Sequence, residues 1–163
     1  MNTLFADSTS ISNLDVTNNP NLEQLSCSNT GLMELDVTHN PQLVTLDIGD
    51  TKVKTLDISK NPNLKQLSCY MTNIAELDVT KNTKLTRLFC HDTTIKKLDL
   101  SNNLELEMLR CGEIFEQGIR GLDISKNTKI KKLICDDLYW LNVGENKVLE
   151  NNHAFVGNGY IDI

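Results

Sequence analysis

Residues 64–84 read Leu64-Lys65-Gln66-Leu67-Ser68-Cys69-Tyr70-Met71-Thr72-Asn73-Ile74-Ala75-Glu76-Leu77-Asp78-Val79-Thr80-Lys81-Asn82-Thr83-Lys84, and Leu85 begins the same phrase again. Its central triplet, Leu77-Asp78-Val79, stands 21 residues after Leu56-Asp57-Ile58 and 21 before Leu98-Asp99-Leu100. Further out, Leu14-Asp15-Val16 and Leu35-Asp36-Val37 keep the same step. Leu122-Asp123-Ile124 follows after 24 residues and Leu141-Asn142-Val143 after 19. A fixed period of this size predicts a solenoid, in which each coil buries its apolar side only by stacking on the next.

Each coil has two halves. The first is L-x-x-L-x-C, as in Leu22/Leu25/Cys27, Leu64/Leu67/Cys69 and Leu85/Leu88/Cys90, with Ile48 in place of Cys in one coil. The second is I/L-x-x-L-D-V, as in Leu32/Leu35/Val37 and Ile74/Leu77/Val79. In both, the last two apolar residues flank one polar residue, which is strand alternation and not a helical period. Two corners separate the halves. One carries Asn19, Asn40, Asn61, Asn82, Asn103, Asn127 and Asn146; the other carries Thr30, Thr51, Thr72 and Thr93. An inward Asn can bond the backbone groups that a bend leaves unpaired, and stacked copies can bond one another.

The phrase L-x-x-L-x-C-x-x-T-x-L-x-x-L-D-V-[ST]-x-N-x-x resembles a bacterial leucine-rich repeat of the short 21-residue nested class, and the match runs over residues 11–146. Two departures stand out: Thr replaces the usual Asn at the first corner, and the gap from Cys111 to Ile119 is three residues longer than that from Cys27 to Leu32. The resemblance implies a leucine-rich repeat solenoid with a parallel β-sheet on one side, short strands or extended turns on the other, and little helix. Residues 1–10 are expected to form an N-terminal cap, 11–146 about six to seven coils, and 147–163 a capping segment, read as a β-hairpin around Gly157-Asn158-Gly159. The resemblance further implies an internalin-like recognition scaffold of cell-surface or secreted origin.

A chain of 163 residues fits one domain. Only 5% of it is aromatic, so branched aliphatic side chains must carry the core. A formal charge of −6 disfavours a nucleic-acid partner, which needs a basic stripe. No run of 18 apolar residues spans a membrane, and Met1–Ser10 lacks the basic and apolar segments of a signal peptide.

Cys27, Cys69, Cys90, Cys111 and Cys135 all occupy the core position that Ile48 fills elsewhere, and no C-x-x-C pair is present. They read as buried free thiols, because parallel stacked side chains point the same way, which is poor disulfide geometry. Asp15, Asp36, Asp57, Asp78, Asp99 and Asp123 form an outward column, with Thr17, Thr38, Ser59, Thr80, Ser101 and Ser125 two residues on. Each Asp is expected to bond the hydroxyl or backbone N–H in its bend; the alternative is a cation-binding stripe, although no coil supplies the six to eight oxygens Ca²⁺ takes. The acids are the same in every coil, whereas a catalytic pair would break the repeat, and His39, His91 and His153 are scattered. The expectation is therefore a non-catalytic chain with no cofactor and no bound metal.

Outward positions that differ between coils are the expected contact surface. Tyr70, Phe89, His91 and Arg110 fall on adjacent coils, and aromatic residues with Arg are the usual interface anchors. Phe115, in the longer turn 112–118, is grouped with them. A protein partner is expected on this face; the alternatives are a glycan or cation on the Asp/Thr ladder, or a structural spacer in a larger surface protein. Tyr139 and Trp140 are expected to cover the open end of the stack.

Overall fold

The computed structural model describes residues 2–112, 118–136, 138–146 and 155–157. The chain winds as a parallel β-solenoid, and no helix occurs among the described residues. The front wall is one parallel sheet of eight strands: β1 (Thr3–Phe5), β2 (Gln24–Ser26), β3 (Thr45–Asp47), β4 (Gln66–Ser68), β5 (Arg87–Phe89), β6 (Met108–Gly112), β8 (Lys132–Asp136) and β10 (Phe155–Gly157), in that order. The back wall is extended turns, joined into strands among the described residues only at β7 (Gly121–Asp123) and β9 (Trp140–Asn142). Register is one coil per strand: Leu25, Leu46, Leu67, Leu88, Leu109 and Leu133 are successive partners. Of these, Leu25 through Leu109 are fully buried, which is why a one-residue slip is not tolerated. β10 pairs in parallel with β8; the rest of the segment expected to form a capping hairpin lies outside the described residues.

The Asn corner is built as a ladder. Each carboxamide Nδ2 has two hydrogens and gives both to carbonyls of the coil before it. Asn61 donates to Val37 (2.9 Å) and Asn40 (2.9 Å), Asn82 to Ile58 (3.0 Å) and Asn61 (3.0 Å), and Asn103 to Val79 (3.0 Å) and Asn82 (2.9 Å). Asn40, Asn61, Asn82 and Asn103 are fully buried, so these carbonyls have no water to turn to.

The Thr corner works within its own coil. Thr30, Thr51, Thr72 and Thr93 each donate Oγ1 to the carbonyl three residues back, at 2.8, 2.8, 2.7 and 2.8 Å. A hydroxyl suffices here because one local carbonyl is to be satisfied. The residue before each Thr turns the chain through positive φ: Asn29, Asp50, Met71 and Asp92, at 52°, 53°, 53° and 53°. Asn and Asp tolerate this conformation and Met does not, at a cost of roughly 1 kcal/mol. Met71 is 53% exposed, so it recovers little by burial. Met71→Asn should therefore raise stability by about 0.5–1 kcal/mol, seen as a higher urea midpoint at unchanged slope.

One expectation is corrected. Cys27, Cys69 and Cys90 are buried thiols, but Cys111 and Cys135 form a disulfide. The argument from stacking fails because the two are direct register partners on β6 and β8, with Cα atoms 4.8 Å apart. That separation lies inside the range a disulfide bridges, and like-pointing side chains meet at their tips. The bond ties together the two coils between which the longer turn is inserted. Burial pushes the Cys27 and Cys90 thiols up to about 12, and Cys69 well above its ordinary value. Thiols so protonated are poor nucleophiles.

A candidate recognition face on the β-sheet

Strand alternation turns one column of the sheet outward between two inward ones. Ser26, Asp47, Ser68, Phe89, Arg110 and Ile134 are successive partners in that column. Phe89 and Arg110, expected to act together, are thus side by side on β5 and β6, both partly buried. Tyr70 and His91 lie in the next outward column, one coil apart, with ring centroids at 5.1 Å and planes 10° from parallel. Phe115 lies outside the described residues.

The Tyr70–His91 pair is seated by a glycine. Gly49 occupies the same column one coil earlier, and a Cβ there would overlap the Tyr70 ring. The phenol therefore lies on bare backbone, with the imidazole on its other side. This leaves His91 only 8% exposed, where alternation alone places it in the open. Ser68, in the neighbouring column, is 3% exposed for the same crowding. Gly49 and Ser68 escape a search for anchor residues. The readable signal was a glycine 21 residues before an aromatic.

Asp7, Asp47 and Asp50 crowd toward β1–β3, while Arg87, Arg110 and Lys132 stand on β5, β6 and β8, interspersed with Asp92 after β5 and Asp136 on β8. Burial pushes the Asp47 carboxyl up, with the Asp7 charge adding to it and the Gly49 N–H (2.9 Å) opposing. Burial also raises the Tyr70 phenol, and Asp47, Asp50 and Asp7 raise it further. The face thus presents an acidic end, a ring stack, a partly buried Phe and an end of mixed charge.

The back face carries the aspartate column, each member engaged in its own bend. Asp15 Oδ1 accepts from the Thr17 N–H (2.9 Å) and hydroxyl (2.7 Å), Asp36 from Thr38 (2.8 and 2.6 Å), and Asp78 from Thr80 (2.8 and 2.6 Å). Asp57, Asp99 and Asp123 accept the N–H two residues on, each at 2.9 Å. These bonds hold all six carboxyls below their ordinary value, against the mutual repulsion visible between Asp15 and Asp36 and between Asp78 and Asp99. Among the described residues no three His, Cys, Asp or Glu converge as metal ligands.

This column sets a pH dependence. A carboxyl whose pKa is lower folded than unfolded adds stability above its unfolded pKa of about 4, and that stability is lost as pH falls through the folded values. Asp47, raised, acts with the opposite sign, but it is one group against six. The urea midpoint should hold between about pH 7 and 5 and fall below about pH 4; equal midpoints at about pH 7 and pH 3 would contradict it.

The end of the stack that Tyr139 and Trp140 are expected to cover lies outside the described residues. The two residues are 67% and 56% exposed, with the Arg120 guanidinium over the Tyr139 ring and hydrogen-bonded to its hydroxyl.

No family model and no curated protein sequence matches the chain. Solved structures do. The functional domain of InlJ from Listeria monocytogenes, described as including a cysteine ladder, is 27% identical and superimposes with a TM-score of 0.64, over 98% of this chain and 44% of that one. A leucine-rich repeat protein of Leptospira interrogans is 17% identical with a TM-score of 0.82, over 99% and 44%. TLR13, in a complex with ssRNA13, is 21% identical with a TM-score of 0.63, over 90% and 22%. The chain spans less than half the length of each. Its fold is the leucine-rich repeat solenoid of the Listeria and Leptospira structures.

Proposed function

We propose that this leucine-rich repeat solenoid is a non-catalytic module that recognises a protein through the front sheet, centred on Tyr70, Phe89, His91 and Arg110. The observation that carries the reading is the Gly49–Tyr70–His91 stack. A scaffold has no need to give up a side chain at Gly49, yet doing so holds an aromatic pair rigid beside Phe89 and Arg110. Preorganised rings lose little entropy on contact, and aromatic residues with Arg are where binding energy concentrates. The acidic end at Asp7, Asp47 and Asp50 suits a partner with a basic patch there, which would help fix its orientation. A cell-surface or secreted setting is part of this proposal and rests on the likeness to InlJ.

Phe89→Ala combined with Arg110→Ala should leave the melting temperature within a few degrees and weaken a captured partner by at least about tenfold. A back-face control, Glu76→Ala with Lys97→Ala, should leave that partner bound. The assay is capture from a cell-surface protein extract, followed by a binding titration with each variant. Loss in the control, or retention in the front-face variant, overturns the assignment.

A further inference from the structure

The back wall is grooved between coils. The one between the first two described bends, about 380 Å³, is lined by Asn13, Leu14, Asp15, Thr17, Glu34, Leu35, Asp36 and Thr55 and holds no aromatic residue. The groove between the Asp99 and Asp123 coils has a similar size, about 360 Å³, but a different lining. Trp140 forms part of its wall, although Trp140 belongs to the coil after Asp123. The cause is a glycine. Position 121 corresponds to Asn13, Glu34, Thr55, Glu76 and Lys97 of the other coils, and Gly121 is the register partner of Trp140. A Cβ on Gly121 would overlap the indole Nε1 and Cε2. Without it, Trp140 lies across Gly121 and its exposed face borders the groove.

Around that indole the groove offers Asp99 and Asp123, Lys97 and Lys126, and the partly buried Leu98. The Ser101 bend holds the Asp99 carboxyl below its ordinary value, and the Ser125 bend does the same for Asp123. The Lys126 ammonium favours ionisation of both. The groove therefore sets two carboxylate acceptors, each held by its own bend, and two exposed lysine ammoniums beside one flat apolar surface. A pyranose ring has that complement: an apolar C–H face, and hydroxyls at its rim that both donate and accept. Concave sites of about 300–1,000 Å³ with a few placed polar groups are usual for small ligands.

We infer that the groove bounded by Trp140, Asp99 and Asp123 is a saccharide-binding site, taking one or two neutral pyranose units stacked on the indole. It lies on the wall opposite the proposed protein-binding face and does not depend on it.

Trp140 is the sole tryptophan, so its emission reports this groove alone. Cello-, chito-, malto- and galacto-tetraose are titrated into the full chain up to ~10 mM, with emission followed and ligand contact checked by saturation-transfer NMR. A shallow single-platform site should give a Kd of about 1 mM for at least one of them. Gly121→Ala, which displaces the indole, should weaken binding about tenfold. Lys97→Ala with Lys126→Ala, both exposed positions, should weaken it severalfold and serves should Gly121→Ala not fold. Phe89→Ala with Arg110→Ala should change nothing here, which separates this site from the front face. If no tetraose moves the emission, or folded Gly121→Ala and the lysine variant both bind as the parent does, the site is not a saccharide site.

Discussion

Asn82→Ala should destabilise the chain by about 3 kcal/mol, through the loss of two buried hydrogen bonds and the void the carboxamide leaves. Asn82 donates to the Ile58 and Asn61 carbonyls at 3.0 Å each and has no exposed surface. Neither carbonyl is orphaned outright, since Ile58 also accepts from the Asn61 N–H (3.1 Å) and Asn61 from the Leu64 N–H (3.1 Å). The loss is thus the second bond at each, and the clasp between successive coils. Asn82→Asp is the sharper probe. It is almost isosteric, but a carboxylate would face two carbonyl oxygens in the dry interior, so at neutral pH it should cost at least as much as alanine. That buried carboxyl would have a raised pKa in the folded state. Its penalty is therefore present above the unfolded pKa near 4 and relieved as pH falls. Urea unfolding of the parent and both variants at about pH 7 and 5 tests the order; an Asp variant milder than Ala at neutral pH would refute the donor role.

Leu67→Ala should cost about 3 kcal/mol, within the 2–5 kcal/mol seen for deleting buried leucine side chains. Leu67 is fully buried between Leu46 and Leu88, its partners on β3 and β5. In a compact globule neighbours from several directions can relax into such a gap. Here the coil has one layer of core, and the adjacent leucines are held in register by their own strands, so the void persists. Leu4, partly buried on β1 with a partner on one side only, should lose about 1 kcal/mol on the same change. Urea midpoints measure both. Equal losses at the two positions would mean that the apolar column does not act as a stack.

What repeats was legible, and what breaks the repeat was less so. Leu67, Asn82 and Asp78 recur at fixed steps, so their roles could be read from alternation and turn chemistry, and the structure places each in that role. Side-chain direction alone argues against the Cys111–Cys135 bond, but at a Cα separation of 4.8 Å parallel neighbours are close enough to join. On the front face, alternation put Tyr70, Phe89, His91 and Arg110 together, but it cannot say how far a ring leans. Burial of His91 depends, through Tyr70, on the missing side chain at Gly49, two coils away. Trp140 was harder still. Its place follows from Gly121, and the irregular spacings of 24 and 19 hide their correspondence.

The Asn ladder carries a consequence for how such a chain changes length. Asn40, Asn61, Asn82 and Asn103 each clasp only the coil before them, through chemically equivalent bonds. Excising or duplicating one whole turn joins like to like, while any other increment leaves an amide opposite the wrong oxygen. The molecule is digital along its axis: its reach can be altered only in single steps, and every step carries in or removes one complete row of surface residues.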